Sequence, residues 1–123
     1  MVGQLAGKRI LIVEDEYFIA SDLQRALHAE GAVVVGPVGE LNQALSLAAD
    51  KALDAAILDV NLEGAMSFPI AERLAAGHVP FMFLTGYDAW SLPPGYEETP
   101  RLPKPFSTPR VVDAVSALCA GSS

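Results

Sequence analysis

Cysteine is nearly absent from this chain. Cys119 is the single one, so no internal disulfide can brace the fold, and it falls in the last apolar turn of a helical pattern, where core packing is expected. Basic charge is scarce as well. Eight Lys and Arg stand against 15 Asp and Glu, and the net charge of -7 repels nucleic-acid phosphates and leaves no basic stripe to bind them. Long apolar runs are missing too, since none approaches the roughly 20 residues that span a bilayer. The N-terminal MVGQLAGKR holds no signal-peptide core before strand-like sequence begins. A soluble, cytoplasmic protein with no nucleic-acid or membrane partner is expected. Of the two histidines, His28 falls on a helix face and His78 in a turn, so both are expected to be solvated or packed.

What is there fits one core. With 123 residues and 51% hydrophobic content, residues 1–123 are expected to form a single domain with no output domain attached. Apolar runs at Ile10 to Val13, Val33 to Val35, Ala55 to Leu58 and Phe81 to Leu84 lack alternation, the pattern of strands buried on both faces of a parallel sheet. Between them lie helical stripes: Ile19, Leu23, Ala26 and Leu27; then Leu41, Ala44, Leu45 and Ala48; then Ile70 and Leu74 behind Pro69. A last helix is marked by Ser107 or Thr108 as cap, Pro109 in its first turn, an inward row from Val111 to Cys119, and Gly121 as its stop. Strand alternating with helix implies an α/β fold with a parallel sheet covered on both faces.

One segment breaks the rhythm. YDAWSLPPGYEETPRLP, from Tyr87 to Pro103, is too rich in proline for a long helix, so a shortened, irregular fourth helix around Asp88 to Leu92 is expected. A brief fifth strand at Arg101 and Leu102 must then lie at the sheet edge, where prolines are tolerated. Trp90 and Tyr96 in this segment serve either to pack an irregular loop or to dock a partner.

Ligands of an open parallel sheet bind beyond the carboxyl ends of its strands. There the sequence places Glu14, Asp15 and Glu16, then Asp59, Thr85, and Lys104 followed by Pro105. Carboxylates about 4 Å apart repel by roughly 4 kcal/mol at an effective dielectric near 20, which a hard divalent cation offsets. Magnesium takes a few carboxylate oxygens, a backbone carbonyl and water, a set that Asp15, Asp59 and the Asn61 carbonyl can supply. Asp59 would then sit at a strand tip as a nucleophile toward phosphorus, with Lys104 and Thr85 stabilising the phosphoryl oxygens.

These residues carry a resemblance. Ile-Val-Glu-Asp-Glu at 12 to 16, Leu-Asp-Val-Asn-Leu at 58 to 62, Leu-Thr-Gly-Tyr at 84 to 87 and Lys-Pro-Phe at 104 to 106 resemble the receiver domain of bacterial two-component response regulators. The resemblance covers essentially the whole chain and implies a doubly wound, flavodoxin-like five-stranded sheet of order 2-1-3-4-5. It implies that Asp59 accepts a phosphoryl group from a phosphohistidine of a sensor histidine kinase or histidine phosphotransfer protein. It gives Asp15 a direct magnesium contact and Glu14 one through water, turns Thr85 and Lys104 toward the phosphoryl oxygens, and makes the Lys104–Pro105 bond cis. Such a protein is a self-phosphorylating and self-dephosphorylating phosphoacceptor rather than a conventional enzyme, with Asn61 and Tyr87 at positions that tune the dephosphorylation rate.

Departures from the pattern matter too. Arg101 stands three residues before the lysine, where family members usually carry Tyr or Phe. Together with Phe83-Leu84-Thr85-Gly86-Tyr87, this resembles a subgroup of stand-alone receivers with a Phe-Ala-Thr-Gly-Tyr-like fourth strand, associated with phosphorelays and general stress signalling, here with Leu84 in place of the alanine. In that reading Tyr87 becomes the mobile aromatic, and a downstream protein target is a further partner. Two other readings stay open: a haloacid-dehalogenase-like phosphatase, weakened because Asn61 stands where those enzymes place a general-acid aspartate, and a docking module independent of phosphorylation.

Overall fold

β-Branched, leucine and alanine residues build a sheet whose middle strand is buried throughout. The protein, described as a computed structural model over residues 3–50, 52–62, 64–86 and 92–120, alternates strand and helix along most of its length. The elements are β1 (Arg9–Val13), α1 (Tyr17–Ala29), β2 (Val33–Val38), α2 (Leu41–Ala48), β3 (Ala55–Asp59), β4 (Asn61–Leu62), β5 (Ala65–Met66), α3 (Phe68–Ala76), β6 (Phe81–Thr85), β7 (Arg101–Pro103) and α4 (Thr108–Ala120). The main sheet is five-stranded and parallel, in the order β2-β1-β3-β6-β7. This is the expected 2-1-3-4-5 order, with the β4–β5 hairpin set apart as a second, antiparallel pair. No helix among the described residues is long and apolar enough to cross a membrane.

Each face of the sheet has its own core. Ile10, Ile12, Ile57 and Leu84 pack under α1 and α4 with Leu23, Leu27, Val111 and Val115. Leu11, Val13, Leu58 and Phe83 pack under α2 and α3 with Ala44, Ala48, Ile70 and Leu74. Period-two alternation along each strand thus feeds both layers, because both faces are apolar. Cys119 is half-buried and packs against the first of these cores, and His28 and His78 are exposed.

Local signals agree with the boundaries. The Glu40 carboxylate caps α2 by accepting N–H groups of Asn42 and Gln43 at 2.9 and 3.2 Å. Pro69 falls in the first turn of α3, and α4 begins at Thr108 with Ser107 before it. Gly121, Asp88, Trp90 and Tyr87 lie outside the described residues. From Leu92 to Pro100 the chain makes turns without a helix, and β7 lies at the sheet edge as its prolines required.

The second strand departs from expectation. β2 is not buried on both faces: it is the opposite edge of the sheet, and Val33 is 45% exposed. It also runs past Gly36 and Pro37 to Val38, with a register irregularity opposite Leu11 to Val13 and a cis Gly36–Pro37 bond. An edge strand tolerates the missing proline donor, which is why the Gly-Pro pair does not end it.

Candidate functional site

Four strand ends assemble the site, and the β2 extension fixes the first of them. The Val38 carbonyl accepts the Glu14 N–H at 2.9 Å, and the Glu14 carboxylate accepts the Glu16 N–H at 3.0 Å. Gly39 packs against the same turn so closely that a Cβ there would stand 2.8 Å from the Asp15 Cα. At the end of β3, the Asp59 carboxylate accepts the Asn61 N–H at 3.3 Å, and Ser67 N–H returns to the Val60 carbonyl at 2.9 Å, closing the β4–β5 excursion. Lys104 N–H donates to the Thr85 carbonyl at 2.8 Å, which locks the exit of β7 to the end of β6. The Lys104–Pro105 bond is cis, as the motif implied.

The side chains meet. Glu14, Asp15 and Asp59 offer carboxylate oxygens that all lie within 4.8 Å of one another. Lys104 Nζ lies 2.9 Å from Glu14 Oε2, 3.2 Å from Asp59 Oδ2 and 3.7 Å from Glu16 Oε1. Glu14, Asp59 and Thr85 are all buried, and the Thr85 hydroxyl has no hydrogen-bond partner among the described residues. An open cavity of about 870 Å³ leads to this cluster, lined by Asp15, Asp59, Asn61 and Lys104 and walled by Ile19, Gly86, Pro105 and Phe106.

Electrostatics follow from that crowding. Burial is the largest influence on Glu14 and pushes its carboxyl up to about 7; the Glu16 N–H and Lys104 oppose the rise, and the neighbouring Asp59 adds to it. For Lys104, burial favours the neutral amine, but the hydrogen bonds and charges of Glu14 and Asp59 outweigh it, so the ammonium is held above its usual range. The donor set is made of hard oxygens with one cation among them, and it fits a hard divalent ion such as magnesium better than a soft metal.

A carboxyl whose folded pKa is raised binds more protons in the folded state than in the unfolded one. Stability is therefore full below the unfolded value near 4.5 and is lost as pH rises through about 7. In the presence of a chelator, the unfolding free energy is expected to fall by roughly 1–3 kcal/mol between pH 5 and 8. Urea titrations of Glu14→Gln should show that slope flattened. An equal slope in the variant would contradict the assignment.

Among the sequence-derived residues, Glu14, Asp15, Asp59, Asn61 and Lys104 come together, and Thr85 is tied to them through its backbone bond to Lys104. Tyr87 lies outside the described residues. Arg101 turns elsewhere: its Nη2 donates to the carbonyls of Tyr96, Glu97 and Thr99. Sequence reasoning did not foresee the direct Glu14–Lys104 ion pair or the role of Gly39, whose one signal is a glycine just after the second apolar run. Gly39→Ala is expected to displace the Asp15 backbone and cost roughly 1–3 kcal/mol of stability, as read by urea unfolding.

An open parallel sheet with acidic, hydroxyl and ammonium groups gathered at its carboxyl edge defines a flavodoxin-like receiver fold. The chain belongs to the response regulator receiver domain family, which matches residues 10–116. It is 30% identical over 112 residues to the transcriptional regulatory protein PdtaR of Mycobacterium tuberculosis, covering 88% of this chain and 55% of that protein. The chain thus spans about half the length of that curated relative. The solution structure of SdrG from Sphingomonas melonis Fr1 is 42% identical, with a TM-score of 0.80 over 95% of this chain and 98% of that one. The receiver domain of the sensor histidine kinase PA1611 from Pseudomonas aeruginosa, solved with magnesium in its active site cleft, shares the fold at 24% identity and a TM-score of 0.77, over 94% of this chain and 100% of that one.

Proposed function

We propose that this chain is a phosphoacceptor whose receiving atom is a carboxylate oxygen of Asp59. The observation that carries the reading is the placement of Asp59 at once against Asp15, Glu14 and Lys104, with Thr85 buried at the end of the adjacent strand and its hydroxyl without a partner among the described residues. In the reaction, an Asp59 oxygen forms a bond to phosphorus while the bond from phosphorus to a donor's imidazole nitrogen breaks. The nitrogen leaves with the electron pair and is protonated from solvent. Asp15, Asp59 and the Asn61 carbonyl would hold a magnesium ion, with Glu14 reaching it through water; when bound, the ion supplies neutralisation of phosphoryl charge. The magnesium seen in the PA1611 receiver supports that choice of metal.

The residues of the chain itself do the rest. Lys104, already within 3.2 Å of Asp59 Oδ2, neutralises a second phosphoryl oxygen, and the Thr85 hydroxyl donates to a third. Return to the resting state is attack of water on the same phosphorus, at a rate that Asn61 and Tyr87 would tune. The donor is a sensor histidine kinase or a histidine phosphotransfer protein, and the output is contact with a protein target through the receiver's own surface, in a phosphorelay of the general stress type. The hydrolase alternative lacks support at residue 61, where an amide cannot cycle a proton. A phosphotransfer profile against candidate kinases and phosphotransfer domains, run in both directions, tests the reading. Rapid, reversible exchange with one of them is expected, and no transfer from any phosphohistidine would overturn it.

A further inference from the structure

Asn61 enters the site through its main chain, and the short β4–β5 hairpin decides which way that main chain faces. In an antiparallel pair, opposite residues alternate between exchanging both of their backbone hydrogen bonds and exchanging none. Ser67 N–H donates to the Val60 carbonyl at 2.9 Å, so the hairpin begins with a bonded pair. The next pairs are Asn61 with Met66 and Leu62 with Ala65. Alternation therefore leaves Asn61 unbonded to Met66, with its N–H and its C=O both turned away from β5. The first of these goes to the acceptor: Asn61 N–H donates to Asp59 Oδ1 at 3.3 Å, while Lys104 Nζ donates to Oδ2 at 3.2 Å. Asn61 also lines the cavity beside Asp15 and Asp59. Its carbonyl opens onto the same side.

The hairpin is anchored on both arms and tight at its tip. Leu62 is buried in the core under α2 and α3, and Ser67 is fully buried, its carbonyl accepting the Ile70 and Ala71 N–H groups at the start of α3. Val60 N–H donates to the Leu84 carbonyl at 3.2 Å, which ties the base to β6. Residues 63 and 64 alone join the two arms, and Gly64 takes a φ of +86°, in the left-handed region that residues with a Cβ rarely adopt. A Cβ built there meets nothing within 4 Å. Substitution of Gly64 therefore strains the turn without a clash.

We propose that the β4–β5 hairpin is a register clamp, whose pairing parity turns the Asn61 carbonyl toward the carboxylates of Asp15 and Asp59, with Gly64 as the positioning residue that keeps the parity. The proposal rests on the metal set of the phosphoacceptor reading above and adds how its main-chain ligand is aimed. By the same alternation the carbonyls of Val60 and Leu62 face the opposite arm, so a slip of one residue would take the wrong group to the site. Gly64 itself touches neither phosphoryl group nor metal. Affinity for the ion falls by the fraction of time the register is lost.

Magnesium alone, with no phosphoryl donor, makes the clamp measurable. In the wild-type chain, a magnesium titration followed by carbonyl-carbon NMR is expected to shift Asn61 more than Val60 or Leu62. Gly64→Val, whose branched side chain opposes the left-handed turn, should bind magnesium roughly three- to tenfold more weakly by calorimetry. Before any metal is added, its Asn61 N–H resonance should move upfield as the bond to Asp59 loosens. Gly64→Asn, whose short polar side chain visits the left-handed region, should bind as the wild type does. Should Gly64→Val fail to fold, Gly64→Ala carries the same test. Undiminished magnesium affinity in the Val and Ala variants would overturn the clamp, as would a Leu62 carbonyl that responds more strongly than that of Asn61. Equal weakening in Gly64→Asn and Gly64→Val would overturn it too, because the left-handed turn would then not be what matters. A wild-type chain that binds no magnesium at all overturns the metal set itself, which separates the two failures.

Discussion

An Asp59→Asn chain incubated with magnesium and acetyl phosphate is expected to carry no phosphoryl group, a drop in rate on the order of 10³-fold or more. The carboxamide oxygen is a poor nucleophile, and no neighbour can replace it. Glu14 is buried and paired with Lys104 at 2.9 Å, and Asp15 is one of the three carboxylates that could hold a metal ion. The same substitution has a second consequence. Burial is the main cause of the raised Glu14 carboxyl and Asp59 adds a smaller share, so removing its charge should lower that carboxyl only modestly from about 7. Carbon-detected NMR titration of the Glu14 side chain would read this directly. An adduct that survives the substitution, at an unchanged rate, would place the acceptor elsewhere.

Lys104→Met is expected to have the largest effect on stability. Lys104 is the cation paired with both Glu14 and Asp59 among the described residues, and its side chain is only 17% exposed. Losing one member of a buried charge cluster leaves the others uncompensated, which costs about 3–5 kcal/mol when the remaining charges stay ionised. Part of that cost is avoided here, because Glu14 can take up a proton near neutral pH. A loss of about 2–4 kcal/mol in chelator at pH 8 follows, with magnesium restoring a share of it by neutralising the same carboxylates. Phosphoryl uptake should fall about 10²-fold even in saturating magnesium, because one of the charges facing the phosphoryl oxygens is gone. Urea unfolding with and without magnesium, beside intact-mass kinetics, measures both. Unchanged stability in chelator would show that the ion pairs at 2.9 and 3.2 Å contribute nothing.

Much of this architecture is written in local patterns. β1, β3 and β6 were legible because each is a short apolar run fully enclosed by helices, and such runs have few alternatives in a chain of this length. The acidic turn, Asp59, Thr85 and Lys104 were legible because parallel sheets bring their carboxyl ends to one edge, so residues far apart in sequence share a place once the strands are found. Their order was supplied by the family resemblance, not by periodicity.

What escaped sequence reading depends on backbone groups or on position within the sheet. The solvent exposure of β2 follows from its being an edge strand, which composition does not encode: Val33 to Val35 is as apolar as the interior runs. Its continuation through Gly36 and Pro37 reads as a stop until the edge position makes the missing donor harmless. The β4–β5 hairpin has two residues per strand, too few for any alternation to show. Arg101 is the clearest case. Its acceptors are three main-chain carbonyls, which no side-chain pattern announces, and so its departure from the family's aromatic was visible while its new use was not. Glu14 is similar, since its ion pair with Lys104 depends on burial that only the assembled sheet creates.

The most direct test of the central claim is to expose the wild-type chain to acetyl phosphate with and without magnesium, trap the product by borohydride reduction, and locate it by peptide mass spectrometry. A single magnesium-dependent product at Asp59 is predicted. A product on any other residue, or uptake indifferent to magnesium, would contradict the account.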